Sequence, residues 1–486
     1  MRTNRNPVRA GGTIESPPNV TLESEITRAR PETQWPATKE IRMFNRWLLG
    51  SHLQLLIFGI AMESLYVAIL CLNDLKENVE IFIPLVLAQG ALYLCSIYIA
   101  EKVSPRRSYL VLVFAAAVVF RLTLFPLDPS LSDDLYRYQW DAKAQHAGYN
   151  PYLVHPDDPA LAFLRDGETP AVSGPKYSTL YGPVMQEVFW VSFVLLRSVI
   201  AMKLLFALFD LGVVLVLFRM LPTLGISPMR AVVYAWSPLI IVEFAASGHN
   251  DSLPILAFVL ALLWYRKEQR RLSVAALSVS ALSKLYASFL MPLFLFRTSW
   301  RLLWIPAVLA TVAFLPYGGG WTGLIAIVSQ YGNIWKNNES LYLLLRWTTA
   351  NDSQAGKLYL ALVTAVTLYC LAQKLSPERG SYLIVGAMLL FSPNVFPWYL
   401  SWIVPLLAIY PNPAWLLLTV TAFLSYHVLI HYRSLGLWRE DGLFIFLEYA
   451  PFYGWLIATF GVQILQRRTL DLLSFNSSKH RNLRFK

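Results

Sequence analysis

Apolar residues are gathered into long blocks along this chain, separated by short polar stretches. The blocks fall at about 52–72, 80–100, 108–126, 199–219, 229–246, 252–265, 272–296, 301–317, 356–374, 380–410, 413–431 and 444–466. Several approach the roughly 20 residues a helix needs to cross bilayer hydrocarbon. Two blocks carry signs of interruption. Block 272–296 has short basic loops at both ends, so it is expected to enter and return as two halves that turn at Ser283-Lys284-Leu285. Block 380–410 contains Pro393 and Pro397 within "FSPNVFPWYL" and is expected to break there. The alternative in each case is one tilted helix. Broken backbone at membrane depth is tolerated only where it lines a protein cavity. The pattern predicts an all-α polytopic membrane protein of about 12–14 transmembrane helices, with both termini cytoplasmic.

Composition supports this. Of 486 residues, 56% are hydrophobic and only 15% charged, against about 25% charged in soluble proteins. Mean hydropathy is +0.46. The net charge of +11 does not point to nucleic acid, because the basic residues cluster beside apolar blocks. Lys39, Arg42 and Arg46 precede the first block, and Lys102, Arg106 and Arg107 follow the second. Arg266, Lys267, Arg270 and Arg271 share one loop, Arg297 and Arg301 the next, and Arg467 and Arg468 open the C-terminal tail. The positive-inside rule places all of them in the cytoplasm. Cys71, Cys95 and Cys370 lie in or beside apolar runs and suggest neither disulfides nor zinc. Residues 1–45 read as a disordered cytoplasmic tail, 46–466 as the transmembrane domain and 467–486 as a basic cytoplasmic tail.

Loop 127–182 is then extracytoplasmic. It holds Asp128, Asp133, Asp134, Asp141, Asp157, Asp158, Asp166 and Glu168 against Arg137, Lys143, Arg165 and Lys176. A loop of that length inside a compact domain is functional more often than a mere connector. After it, 182–197 is amphipathic enough to lie on the outer leaflet as an interfacial helix. Loop 318–351, with its Trp, Asn and Arg346, reads as a lid or acceptor surface.

The candidate chemistry begins at "SDDLYRYQWDAKAQHAG". Ser132 is a good N-cap, and the helix should end at Gly148. Asp133 and Asp134 fall in its first turn; Asp134, Tyr138 and Asp141 share a face, and Asp133 is spaced to pair with Arg137. Capping acids and a surface ion pair are the plain alternative. A carboxylate here, among aromatics suited to a sugar ring, can instead accept a proton from an attacking hydroxyl. "SGHNDSLP" offers His249, Asn250 and Asp251, with helix capping as the simpler reading and no second ligand at zinc spacing. Lys284 lies within an apolar block, at a cost of roughly 2.5–3.5 kcal/mol on insertion scales. It needs a partner, and Asp210, Glu243 or a bound phosphate would serve. Arg121 ends the third block near the outer face, "YSTLYGP" gives an aromatic turn through Tyr181, and Tyr286, Trp398 and Tyr399 lie near the predicted breaks. His427 and His431 share a helix face without a third ligand and read as packing residues.

An outward carboxylate, a phosphate-capable lysine and histidine, and broken helices at one leaflet suit group transfer from a polyprenyl phosphate to a hydroxyl. The chain has no Gly-rich phosphate loop or Rossmann-like pattern for a nucleotide sugar. "SDDLYRYQWDAKAQHAGYNPY", "YSTLYGPVMQ", "ASGHNDSLPILAF", "ALSKLYASFLMPL" and "FSPNVFPWYLSWIVPLL" resemble bacterial polyprenol-phosphate-sugar-dependent mannosyltransferases of the GT-C glycosyltransferase superfamily. The resemblance runs over about residues 45–465; relatives often read "WDG" where this chain has Trp140-Asp141-Ala142.

The resemblance implies a GT-C-like helical bundle with a long extracytoplasmic first loop. It implies inverting transfer of a sugar, commonly mannose, from a polyprenyl monophosphate donor to a glycolipid or glycan acceptor. The membrane would be a bacterial plasma membrane, or that of the endoplasmic reticulum if the sequon Asn338-Glu339-Ser340 is used. The family's base falls on Asp133 and Asp134, with Asp134 preferred because Arg137 would hold Asp133. Lys284, His249 and Arg121 would bind the donor phosphate. Tyr138, Asp141, Tyr181, Asn250, Asp251, Tyr286, Trp398 and Tyr399 would contact substrate. No cofactor is required by this scheme, although the acidic pair is where a divalent metal would sit. The other class that carries intramembrane charges and broken helices is a transporter or flippase of lipid-linked saccharides. Inverted repeats and a midplane charge site would favour it, and the sequence shows neither such repeats nor charged residues on both faces.

Overall fold

The computed structural model describes residues 50–167, 172–459 and 461. The two predicted tails, and Glu168, lie outside the described residues. The chain opens with α1 (Ser51–Leu70), α2 (Val79–Lys102) and α3 (Arg107–Leu124). Then come α4 (Asp134–His146), α5 (Pro183–Leu196) and α6 (Val199–Met220). A pair of short helical stretches, Pro228–Ala235 and Pro238–Ala246, bends by 55° at Ser237-Pro238. Next are α7 (Ser252–Arg266), α8 (Arg270–Ser283), α9 (Met291–Thr298), α10 (Trp304–Phe314), α11 (Gly320–Ile334) and α12 (Tyr342–Thr348). The last are α13 (Asp352–Ala372), α14 (Pro377–Phe391), α15 (Pro413–Thr421), α16 (Val428–Leu435) and α17 (Gly442–Thr459).

The architecture is all-helical and polytopic, as the apolar blocks predict. By length and composition seven described helices can cross a membrane: α1, α2, α3, α6, α13, the run Pro413–Leu435 and α17. The bent pair makes an eighth, and α5, α7, the run Leu285–Thr298 and the run Trp300–Phe314 are shorter apolar helices. The larger predicted number counts α7, the run Trp300–Phe314 and the two halves of each interrupted block as spans, while α5 is the helix predicted to lie at the interface.

Both interruptions are present. α8 stops at Ser283, Lys284 takes extended backbone (φ −147°, ψ 126°), and a 3₁₀ turn, Leu285–Leu290, leads into α9. α14 stops at Phe391, and extended residues precede a 3₁₀ turn over Pro397–Trp402. Proline cannot donate to the helix ladder and disfavours helical backbone in the residue before it, which fixes the second break. Loop 318–351 differs from its prediction: α11 and α12 make most of it helical. Asn337, between them, forms an isolated bridge with Asn394 in the second break.

α6, α7 and α8 pack side by side, and α1, α2 and α3 form a second packed group. The bent pair joins them: Trp236 is fully buried and donates its indole N–H to Val113 O at 3.0 Å. Arg121 does not face a ligand cavity. Its guanidinium is 2% exposed, pairs with Asp210 of α6 and donates to Ala117 O and Ala235 O at 2.9 Å each. A buried cation finds a carboxylate and two carbonyls here, so the predicted phosphate role does not fit the structure, and Asp210 is not the partner of Lys284.

Candidate active site

α4 follows the C-terminal end of α3 after a short irregular stretch. Its first residue is Asp134, and Ser132 Oγ accepts the Asp134 backbone N–H at 3.3 Å. The helix ends at His146, followed by Gly148 in left-handed backbone (φ +87°) that only glycine adopts without strain. A cavity of about 200 Å³ opens beside its N-terminus. Asp133, Asp134, Tyr181, Lys284, Trp398 and Tyr399 all line it, so four separated motifs of the sequence meet at one place.

Asp134 is held on two sides. Ser173 Oγ donates to its Oδ1 at 2.9 Å, and the Tyr181 hydroxyl stands 3.5 Å from Oδ2. Burial pushes its pKa above the usual carboxylate range, against the Ser173 hydrogen bond and the positive charge of Lys284, which pull it down. Burial also raises Asp133, opposed by the charge of Lys76. A carboxylate whose charge is poorly solvated is a stronger base.

Arg137 does not pair with Asp133. It binds Asp141 instead, Nε to Oδ1 at 2.9 Å. Its other nitrogens donate to Ser173 O (3.3 Å), Gly174 O (3.0 Å) and Tyr177 O (2.9 Å). The arginine therefore ties the loop carrying Ser173 to α4, one turn below the acid that Ser173 touches. Asp141 is fully buried and also accepts from Gln186 Nε2 at 2.9 Å. Tyr138 is stacked on Phe189 at 4.6 Å and lies edge-on to Tyr181 at 5.0 Å. Tyr138 and Asp141 thus belong to the packing beneath the cavity, and the predicted substrate contacts do not form there.

Lys284 sits at the break after α8 and pairs with Asp251, Nζ to Oδ1 at 2.6 Å. Trp402 donates its indole N–H to the same oxygen at 2.5 Å. Asp251 occupies the position before α7, but its carboxylate makes no capping bond. The lysine is stacked over Tyr399 and Trp402, 5.0 and 5.3 Å from their ring centroids. Tyr286 lies behind, stacked on Trp402 at 4.1 Å. A cation poised over aromatic faces, its side chain 13% exposed at the wall of a cavity, suits an anionic leaving group. Glu243 is occupied elsewhere, by the Tyr426 hydroxyl at 2.8 Å.

His249 is not a second cation. Burial, and then the charge of Lys284, push its pKa well below the ordinary histidine value, so the ring is neutral. It stacks on Trp398 at 3.9 Å and holds that indole against the cavity. Asn250 is fully buried behind it. Gly248 (φ +72°) makes this turn; a Cβ there would stand 2.8 Å from Lys203 Cγ.

The turn "YSTLYGP" joins the acid to the cation. Tyr181 reaches Asp134, and the next residue, Gly182, donates its N–H to Ser283 O at 3.2 Å. Sequence reasoning named no single residue of the far wall, made by Lys76, Trp335, Asn337, Phe396, Tyr432 and Trp438, although Trp335 and Asn337 fall in loop 318–351 and Phe396 in the second predicted break. Lys76 carried a readable signal, being the lysine of the short loop between the first two blocks. Trp335 and Trp438 are far apart in sequence, and nothing there links them. His427 is the packing residue it was expected to be: its Nε2 accepts the Asp441 N–H at 2.7 Å and its ring stacks on Phe444 at 4.6 Å.

Comparison with known families gives two consecutive matches. Residues 55–299 match the family described as alpha-(1->6)-mannopyranosyltransferase, N-terminal domain. Residues 346–439 match the MptB C-terminal domain. A comparison with curated proteins returned no match. The first match alone covers half of the chain and contains Asp133, Asp134, Asp251 and Lys284, while the second contains Trp398, Tyr399 and Trp402. The chain belongs to the alpha-(1->6)-mannopyranosyltransferase family, a bacterial mannosyltransferase family of the GT-C type.

Proposed function

We propose that this mannosyltransferase takes mannose from a polyprenyl monophosphate donor and places it on a hydroxyl of a glycolipid or glycan acceptor at the extracytoplasmic face. The observation that carries the reading is the shared cavity. It presents a partly buried carboxylate, Asp134, and the cation Lys284 to the same space, beside Asp133 and Lys76.

In the proposed step the acceptor hydroxyl attacks the anomeric carbon as the carbon–phosphate oxygen bond breaks. Asp134 takes the hydroxyl proton late in the displacement. The lipid phosphate departs as an anion and needs no proton; Lys284 stabilises the charge that collects on it. Asp133, the residue just before α4 and under the positive charge of Lys76, is a supporting charge. One displacement inverts the anomeric centre, so an α-(1→6) product of the kind in the family's description requires a β-linked donor. Tyr399 and Tyr181 line the cavity as aromatic surfaces for a sugar ring, and Trp398, sandwiched between His249 and Phe396, presents its edge. The positive-inside distribution of basic loops supports the extracytoplasmic side, and the apolar helices support entry of the donor from the bilayer.

The test is transfer by the purified full chain, in lipid nanodiscs, from polyprenyl-phosphate mannose to a lipid-extract acceptor. Transfer by wild type and its loss in Asp134→Asn are expected. Full activity in both Asp133→Asn and Asp134→Asn would remove the base assignment. Movement of lipid-linked sugar between leaflets without transfer would favour a flippase.

A further inference from the structure

α4 separates two cavities. The second, of about 340 Å³, lies on its other side, beneath the start of α6. Its walls carry Gln139, Arg197, Ser198, Ile200 and Lys203, with Asp128 at the rim. The site just described uses none of these side chains.

Three features of this cavity belong to an anion. Lys203 is 3% exposed and donates to Phe125 O at 2.9 Å and to Leu127 O, which leaves one ammonium proton beyond these two carbonyls. Arg197 lies at the mouth in left-handed backbone (φ +45°). Among the described residues neither cation makes a salt bridge, so the two face the single carboxylate of Asp128. Gln139 is 6% exposed, and its buried amide oxygen has no hydrogen-bond partner. Turning that amide over presents an N–H donor at the same place. The start of α6 adds its positive dipole end but few free donors, because Ser198 Oγ and Ser198 O already take the N–H groups of Ile200 and Ala201 at 3.1 Å each.

The surroundings indicate where the anion comes from. Ile200, at the mouth, is 64% exposed, and Leu204 and Leu208 follow it at four-residue spacing on α6, 45% and 55% exposed. This is a membrane-spanning helix, so the exposed aliphatic stripe faces acyl chains. A phosphate seated between Arg197 and Lys203 would have its ester oxygen directed at that stripe.

We infer that the cavity between α4 and the start of α6 is a second phosphate site, which holds the headgroup of a membrane lipid whose chain runs along Ile200, Leu204 and Leu208. The inference is independent of the catalytic reading. Because Gln139 and Asp134 sit on opposite sides of one helix, the bound lipid braces the face of α4 that turns away from the reaction.

The test is native mass spectrometry of the full chain from phosphatidylcholine nanodiscs doped with phosphatidic acid or with diacylglycerol of the same acyl chains. Retention of phosphatidic acid at least about ten-fold above diacylglycerol is expected. Arg197→Glu should weaken retention about ten-fold and Gln139→Leu by a smaller factor, while Arg197→Lys keeps most of it. Asp134→Asn should retain as much as wild type. Equal retention of both lipids, or no effect of Arg197→Glu in a chain with unchanged melting temperature, overturns the site. Loss in Asp134→Asn to the same degree overturns it too, by placing the lipid in the catalytic cavity. A third arm uses inorganic phosphate: competition only at concentrations far above those of phosphatidic acid supports the lipid source, and equal potency overturns it in favour of free phosphate.

Discussion

Gly182 donates its backbone N–H to Ser283 O at 3.2 Å, across a contact so close that a Cβ on Gly182 would stand 2.0 Å from Leu282 O. This contact seats the Tyr181 turn on the helix break that carries Lys284. Gly182→Ala must push the two backbones apart. Displacing a catalytic group by an ångström can cost about 10²-fold in rate, and overpacking costs about 1–3 kcal/mol in stability. Transfer kinetics with a parallel thermal melt check both; unchanged kcat would show that the contact does not set the site.

Asp134→Asn is expected to lower transfer by about 10²–10⁴-fold, the range of a lost general base. Asp133→Asn should stay within about ten-fold of wild type. The melting temperature gives an independent reading. Burial raises the folded-state pKa of Asp134, so its ionisation opposes folding at neutral pH. Asparagine removes that opposing charge, and the inactive variant should melt no lower than wild type.

The pH profile follows from the same shift. Asp134 works as the carboxylate, so kcat should climb with pH through a pKa above the roughly 3.9 of a free aspartate. Ser173 lowers that pKa by its hydrogen bond. Ser173→Ala should therefore move the acid limb to higher pH, with little loss on the plateau. A limb that moves to lower pH, or stays fixed, would separate Ser173 from the base.

Lys284 and Asp251 form a buried pair at 2.6 Å. Lys284→Met leaves the Asp251 carboxylate with Trp402 alone and should cost about 3 kcal/mol of stability as well as most of the activity. Adding Asp251→Asn should restore much of the stability and none of the transfer. Denaturation midpoints across the double-mutant cycle, measured beside activity, distinguish the structural share of the lysine from its share in catalysis.

How far the chain could be read depended on the kind of signal. The breaks at Lys284 and Pro397 were legible because a charge and prolines contradict an otherwise apolar helix. Asp134 was legible because polar residues follow directly on a membrane block. Helical spacing misassigned Arg137, since both Asp133 and Asp141 stand four residues from it, and only the fold shows that Asp141 lies on the buried side. Arg121 failed for a related reason. Its partner Asp210 is 89 residues away on α6, and no local pattern reveals which span lies alongside α3. The wall of Trp335, Asn337 and Trp438 depends on packing between distant segments, and no period in the sequence encodes that.

That arginine has a meaning beyond the resting fold. Arg121 of α3 and Asp210 of α6 are both buried among membrane helices, where a charge alone at a helix centre costs roughly 2.5–3.5 kcal/mol to insert. Bound to each other they form a neutral unit, sealed further by the carbonyls of Ala117 and Ala235. Asp210 lies 89 residues after Arg121, so neither charge has its partner until α3 and α6 lie side by side. The pair thus makes the N-terminal third of the chain dependent on its middle for the burial of that charge.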